Sequence, residues 1–346
     1  MTETPIIRRA MVTAVDAIEL VEVPAPQPGA GEVSVRTSVA GICGSDLHAV
    51  AGHHPWMRIP FPPGHEVVGV VDALGAGVTS VAVGARVTVE PTLPCWDCKQ
   101  CLASNENICE NLRFLGCGYA QGAIADSFTV PANRLHVLDE SMSDLDAVLI
   151  EPLATPCHAV RLAVGDGSLA GRPVAVVGGG TIGQLTLAAV LDRGADRVVV
   201  IDPMASKREL ARRRGAAAAF DPAAGDLVET VLEHFGETVD VVFDCVAIEA
   251  TVEQGVRLVG RAGTVVIVGV PARDVVVPLQ LVQDRQIRIQ GAATYVPEDY
   301  TTATRIIASG AVAAEDFISA EFPLDQVSEA LEAAKDPETV KVVVRP

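Results

Sequence analysis

Val174-Ala175-Val176-Val177-Gly178-Gly179-Gly180-Thr181-Ile182-Gly183 is the stretch on which the fold turns. Its four leading apolar residues suit a strand buried on both faces. Gly178, Gly180 and Gly183 then carry the G-x-G-x-x-G spacing. The first glycine permits a tight turn, the second lets the backbone approach a pyrophosphate, and the third lets strand and helix pack closely. Thr181 and Ile182 open a helix expected over 182–193, whose first N–H groups and positive dipole end suit phosphate. The spacing alone also describes a plain strand–helix turn. Its position after a buried strand and before a helix is what favours a dinucleotide.

Working outward, a second strand is expected at 198–201, ending at Asp202. A carboxylate there accepts hydrogen bonds from adenosine ribose hydroxyls and repels a 2′-phosphate, so NAD is favoured over NADP. Lys207 and Arg208 follow closely. They could tolerate a phosphate or simply begin a solvated helix at 206–214. Further strands are expected at 239–243, 264–268 and 287–289, giving a doubly wound parallel sheet. The run 264–270, followed by Val275-Val276-Val277, reads as a core strand or as one that extends the sheet into a second subunit. The alanines near 216–219 read as packing.

Upstream the pattern is different. Strands at 33–36, 66–71 and 86–90 are separated by proline and glycine turns with no helices between them, which suggests a β barrel or folded sheet. Downstream, helices at 300–309 and 324–334 precede a closing strand at 341–344. Two domains suit 346 residues.

Eight cysteines are distributed unevenly. Cys95, Cys98, Cys101 and Cys109 form C-x2-C-x2-C-x7-C, a spacing at which four thiolates can close a tetrahedral zinc site. Iron–sulfur proteins use different local spacings. A closed four-cysteine site is structural, because no position stays open for substrate. A second set is dispersed: Cys43 in Cys43-Gly44-Ser45-Asp46, His65 and Glu66 in Gly64-His65-Glu66, and Glu151 in Glu151-Pro152-Leu153. Thiolate, imidazole and carboxylate could hold an open zinc. Singly, Cys43 also reads as a small buried hydrophobe, His65 as a turn histidine and Glu151 as a helix start. Spacing does not choose between these.

A net charge of −18 excludes a nucleic-acid partner, since phosphate binding needs a basic surface. No membrane span is expected. The most apolar stretch, 174–191, is interrupted by glycines and Gln184 and stops at Asp192. With no secretory pattern after Arg8 and Arg9, a cytoplasmic protein with reduced cysteines is expected.

Taken together and in this order, the Cys-Gly-Ser-Asp, Gly-His-Glu, four-cysteine, Glu-Pro-Leu and glycine-rich motifs resemble the zinc-containing medium-chain dehydrogenase/reductase family over essentially the whole chain. Glu151-Pro152-Leu153 looks most like its sorbitol, threonine and butanediol dehydrogenase branch. The resemblance implies a GroES-like catalytic domain, 1–153 and 292–346, with a zinc lobe at about 91–113, and a Rossmann NAD-binding domain, 154–291. It implies two zinc ions per chain. Cys43, His65 and Glu151 would bind the catalytic one, Glu66 would be a ligand or close neighbour, and Asp46 would orient His65. Ser45 would contact the substrate hydroxyl, and His48 would pass its proton outward. Val268, Gly269 and Val270 would meet the nicotinamide. The implied reaction is hydride transfer between NAD and a secondary alcohol, polyol or cyclitol, in a homo-dimer or homo-tetramer.

An amino alcohol substrate, a zinc-free reductase and a non-catalytic NAD- and zinc-binding protein are the alternatives. Polyol members often carry an arginine beside an aromatic where this chain reads Ala292-Ala293-Thr294-Tyr295, and that arginine is missing here. Pocket candidates are the stretch His53-His54-Pro55-Trp56-Met57 to Phe61, and Tyr119. Cys117, Cys157 and Cys245 read as packing residues.

Overall fold

The computed structural model describes residues 5–54 and 57–346. The chain divides into two compact units, Met1–Glu151 with Ala313–Pro346, and Pro152–Val312.

In the second unit, six strands lie in the order Ala218–Phe220, Arg197–Ile201, Pro173–Val177, Val239–Asp244, Val259–Ile267 and Arg288–Gly291, all parallel. Pro173–Val177 comes first in the chain. The next two strands add on one side and the last three on the other, so the order reverses beside it, where a doubly wound sheet binds its ligand. The apolar runs are explained by burial: Ala175, Val177, Val199, Val242 and Val265 are inaccessible or nearly so and share one core. Burying each of these valines is worth about 1.5–3 kcal/mol. This is a Rossmann sheet.

Helices Leu227–Phe235 and Glu249–Leu258 and the short edge strand Ala218–Phe220 were not expected from the sequence. The alanine run thus carries an edge strand. Val259–Ile267 is paired on both sides and supplies no strand to a second subunit; the open edge is Arg288–Gly291. The return to the first unit comes at 313, later than the expected 292. Helix Pro297–Ala308 stays with the Rossmann sheet because its Asp299 is tied to His158 and Arg161 on helix Ile150–Val164. Tyr295, 1% exposed, packs against Tyr300 with ring centroids 5.7 Å apart. It is a core residue of this unit.

The first unit is GroES-like. Its sheet runs Ile318–Pro323, Lys341–Arg345, Glu32–Ile42, Glu66–Leu74, Arg86–Val89 and Leu135–Val137, with Ser127–Pro131 also on Glu32–Ile42. Val33, Val35, Val67, Val87 and Phe128 fill its core. A hairpin, Ile6–Ala14 with Ala17–Pro24, lies outside that sheet. The strand pair Thr92–Leu93 and Arg113–Phe114 brackets the four-cysteine segment. Residues Asp144–Val164 are long and apolar enough to cross a membrane, yet 72% of that span is buried within the chain, as in a core helix.

Candidate functional site

The four cysteines of the lobe converge. Cys98 to Cys101 and Cys109 to Cys95 are 3.5 Å apart between sulfurs, Cys98 to Cys109 is 3.9 Å and Cys95 to Cys101 is 4.0 Å. A tetrahedral zinc with Zn–S of about 2.3 Å needs sulfurs roughly 3.8 Å apart, so the set fits that ion. The cysteines are unbridged. Backbone amides already point at them: those of Cys95 and Asn111 donate to Cys109 Sγ at 3.3 Å. The amides of Cys101 and Glu110 pull the Cys98 thiol down to about 6, a thiolate at neutral pH.

The dispersed set converges too, around Glu66, the carboxylate expected as a ligand or close neighbour. Ligand atoms of Cys43, His65 and Glu66 all lie within 4.8 Å of one another, and Glu151 stands outside that group. Cys43 caps helix Gly44–Val50. Asp46, three residues on, accepts the Cys43 backbone N–H at 3.0 Å with one carboxylate oxygen. Its other oxygen is buried without a hydrogen bond, 3.7 Å from His65 Nδ1. One carboxylate therefore fixes the cap and faces the imidazole, the usual arrangement around a ligating histidine. Ser45 Oγ is 3.5 Å from His65 Nε2. His48, one turn on, is exposed.

Glu66 begins the strand opposite Gly41, and His65 immediately precedes it. A Cβ at Gly41 would collide with the Glu66 carboxylate, so the glycine makes room for it. That carboxylate is fully buried and is held by Lys341, whose Nζ lies 2.6 and 2.7 Å from its two oxygens and 3.1 Å from the Ile42 carbonyl. Burial works to lower the Lys341 pKa, but the charges of Glu66, Cys43 and Glu151 and the hydrogen bond to Glu66 together raise it, so the ammonium stays charged. Glu151, 6% exposed at the start of helix Ile150–Val164, adds its charge to the same lysine.

Sequence reasoning placed Lys341 in a closing strand and gave it no role. The signal was a lone lysine ahead of Val342-Val343-Val344. A strand position 4% exposed holds a cation only when it has a partner. Cys117 was likewise read as packing, yet its Sγ lies 3.6 Å from His65 Nδ1.

In the second unit the glycine turn behaves as its spacing requires. Gly178 has φ +92°, a Cβ at Gly183 would strike the Gly178 carbonyl oxygen, and the space around Gly180 is open. Gly180 caps helix Thr181–Asp192. Asp202 accepts the Gly179 and Met204 amides at 2.7 Å each, so its carboxylate is fixed at the turn with lone pairs to spare. Lys207 borders Gly179, and Gln184, missed in the sequence, ties the two by donating to both carbonyls at 3.1 and 3.0 Å. Val268 and Gly269 donate to the Asp244 carbonyl at 2.8 and 3.0 Å, and Val270 is exposed beyond them. Of the pocket candidates, Phe61 and Tyr119 line one recess in the first unit, while Pro55 and Trp56 lie outside the described residues.

Comparison with known proteins gives the following. The sequence model described as alcohol dehydrogenase GroES-like domain matches residues 29–140, and that described as zinc-binding dehydrogenase matches 181–309. The 2-dehydro-3-deoxy-L-galactonate 5-dehydrogenase of Pseudoalteromonas atlantica is 35% identical over 318 residues, 91% of each chain. Among solved structures, a zinc-binding dehydrogenase of Sinorhizobium meliloti bound to NADP superposes with a TM-score of 0.92 at 33% identity, covering 99% of this chain and 100% of that one. The 2R,3R-butanediol dehydrogenase of Bacillus subtilis superposes with a TM-score of 0.90 at 26% identity, covering 98% and 99%.

Proposed function

The chain belongs to the zinc-containing medium-chain dehydrogenase family, in its sorbitol dehydrogenase-like branch, and on that footing we propose that it transfers hydride between NAD and a secondary hydroxyl of a small polyol or related alcohol. It is an oxidoreductase of CH–OH groups. The observation that carries the reading of the site is the convergence of Cys43, His65 and Glu66 in a pocket separate from the closed four-thiolate lobe. Three donors leave a tetrahedral ion one open position. When bound, zinc supplies a Lewis acid for the substrate hydroxyl, and the nicotinamide supplies the hydride acceptor.

The chain's own residues do the rest. Cys43 and His65 would hold the metal. The Glu66 carboxylate, kept in place by Lys341, is available as third donor, and Glu151 stands by as its alternate beside the same lysine. Asp46 fixes the ring of His65, and Ser45, 3.5 Å from that ring, takes the substrate proton and passes it toward His48 at the surface. The Gly178–Gly183 turn and Thr181 and Ile182 at the helix N-terminus cradle the pyrophosphate, with Lys207 alongside. Asp202 receives the ribose, which supports NAD over NADP. Val268, Gly269 and Val270 serve the nicotinamide end.

We place the protein in the cytoplasm, where its unbridged cysteines stay reduced. We also assign it a homo-dimer or homo-tetramer. Val276, Leu279 and Ile289 are exposed, with Ile289 on the open edge Arg288–Gly291 of the parallel sheet, and apolar residues at an open edge invite a second copy.

The test is metal analysis together with oxidation of a panel of secondary alcohols, polyols and sugar acids, with NAD and NADP in parallel. Two zinc ions per chain and NAD-dependent turnover are expected. One zinc per chain, confined to the four-cysteine lobe, with no turnover, overturns the reading.

A further inference from the structure

In the first unit a recess of about 540 Å³ is lined by Met11, Arg58, Phe61, Gly118, Tyr119 and Ala120, among others. That is the size of a small-molecule site. It lies one residue along the chain from Cys117, whose sulfur touches His65. Pro62, which also lines it, stands three residues before His65, so the chain segments carrying Cys117 and His65 both run from this recess.

Its electrostatics run against the rest of the chain. The protein carries a net charge of −18, yet among the described residues no carboxylate lines this recess, and Arg58 does. Arg58 makes no ion pair or hydrogen bond among the described residues. Arg9 stands two residues before the lining Met11 on strand Ile6–Ala14, so it shares that strand face. Its Nη1 reaches the carbonyl of the lining Ala120 at 3.3 Å, while its Nε is buried without a partner. Burial lowers the Arg9 pKa, and no neighbouring carboxylate offsets it. A third guanidinium, that of Arg113, stacks 5.4 Å from the centre of the Tyr119 ring. Three cations around one recess in an acidic protein focus an anion-attracting field at that spot. Guanidiniums bind oxyanions through paired N–H donors.

We propose that this recess receives the charged end of an anionic substrate, a polyol bearing a carboxylate or phosphate, with Arg58 as the specificity-determining contact and Arg9 supporting it. The inference rests on the dehydrogenase reading above and narrows its substrate class.

The experiment compares kcat/KM for hexonates, hexitol phosphates and neutral hexitols of matched configuration, in the wild type and in Arg58→Gln, over a range of ionic strength. At least one anionic class should exceed its neutral counterpart about tenfold in the wild type, the size of one charge-assisted hydrogen bond. Which class does so identifies the source of the oxyanion. Arg58→Gln should lower the anion-to-neutral ratio by about the same factor, and the anion's KM should rise with salt. Neutral hexitols equal to or better than both anions, or an unchanged ratio in Arg58→Gln, overturns the proposal. Calorimetric binding of the same compounds to the zinc- and NAD-loaded protein separates the two readings. If nothing on the panel turns over, the dehydrogenase reading falls, while binding of the anions that is lost in Arg58→Gln still upholds the recess, and equal binding of anions and neutrals still sinks it.

Discussion

The lobe holding Cys95, Cys98, Cys101 and Cys109 and the pocket holding Cys43, His65 and Glu66 are both metal-shaped, but they are assembled in different ways. The lobe gathers four like donors from one short segment, pinned by its own amides and by the flanking strand pair. The pocket gathers three unlike donors from a helix cap and a strand start, and its buried carboxylate is balanced by a lysine 275 residues away in sequence. The first is closed by local wiring. The second is held open by distant parts of the fold, which is what an ion with a free coordination position needs. A local site can be complete without a well-packed domain, whereas a dispersed one exists only when the domain does.

This contrast can be broken most sharply at Cys43. Cys43→Ser should lower kcat/KM by roughly 10⁴-fold or more, over 5 kcal/mol of barrier, while the zinc content falls from two per chain to one and the melting temperature barely moves. If activity survives, the pocket is not the catalytic one. Next comes Lys341→Met, which leaves the Glu66 carboxylate buried and unpaired. Breaking such a pair costs about 3–5 kcal/mol, read as a loss of unfolding free energy in denaturant. The double change Lys341→Met with Glu66→Leu should recover most of it, and failure to recover would show that the pair is not what Lys341 contributes.

In the lobe, Cys98→Ala should remove the other zinc and lower the melting temperature, with proteolysis appearing within 95–109. The metal bound at the pocket should stay, as equilibrium dialysis against a weak chelator would report. Joint loss of both ions would erase the distinction between local and dispersed sites.

The smallest effect concerns a dispersed cluster without metal. Hydrogen bonds from Arg161 and His158 overcome burial and hold the Asp299 carboxyl down at about 2. A carboxyl depressed in the folded state adds stability above its ordinary pKa near 4, and that stability is lost as pH falls toward 2. Asp299→Asn should therefore cost about 2 kcal/mol at neutral pH and nothing near pH 2, in paired denaturation curves across that window. A cost independent of pH would mean that the side chain acts by shape alone.

What could be read without coordinates follows the same division. The lobe, the glycine turn and the parallel sheet were legible because each is written in a contiguous window. Valine runs give the strands, C-x2-C spacing gives the thiolates, and glycines mark where a Cβ cannot fit. Helices 227–235 and 249–258 escaped notice because their apolar faces are narrow, with only Leu227, Val231, Val252, Gly255, Val256 and Leu258 buried. Lys341, Cys117, Arg58 and Arg9 escaped for a different reason. Their significance lies in partners, or in a shared recess, brought together by chain folding, and no spacing rule reports that. Glu151 was expected as the third donor by resemblance. Glu66 was expected as a ligand or close neighbour, and the fold groups its carboxylate with Cys43 and His65, because Gly41 leaves it the space.

The lysine opposite Glu66 has a temporal consequence. At 5–20 residues per second, a ribosome needs on the order of 15–55 s to travel from Glu66 to Lys341. Throughout that interval the nascent pocket lacks its compensating cation, whereas the cysteine lobe is fully translated within about its first 2–9 s. Ion capture is therefore sequential: the structural ion can be taken up during synthesis, and the reactive one is secured only after the closing strand has docked.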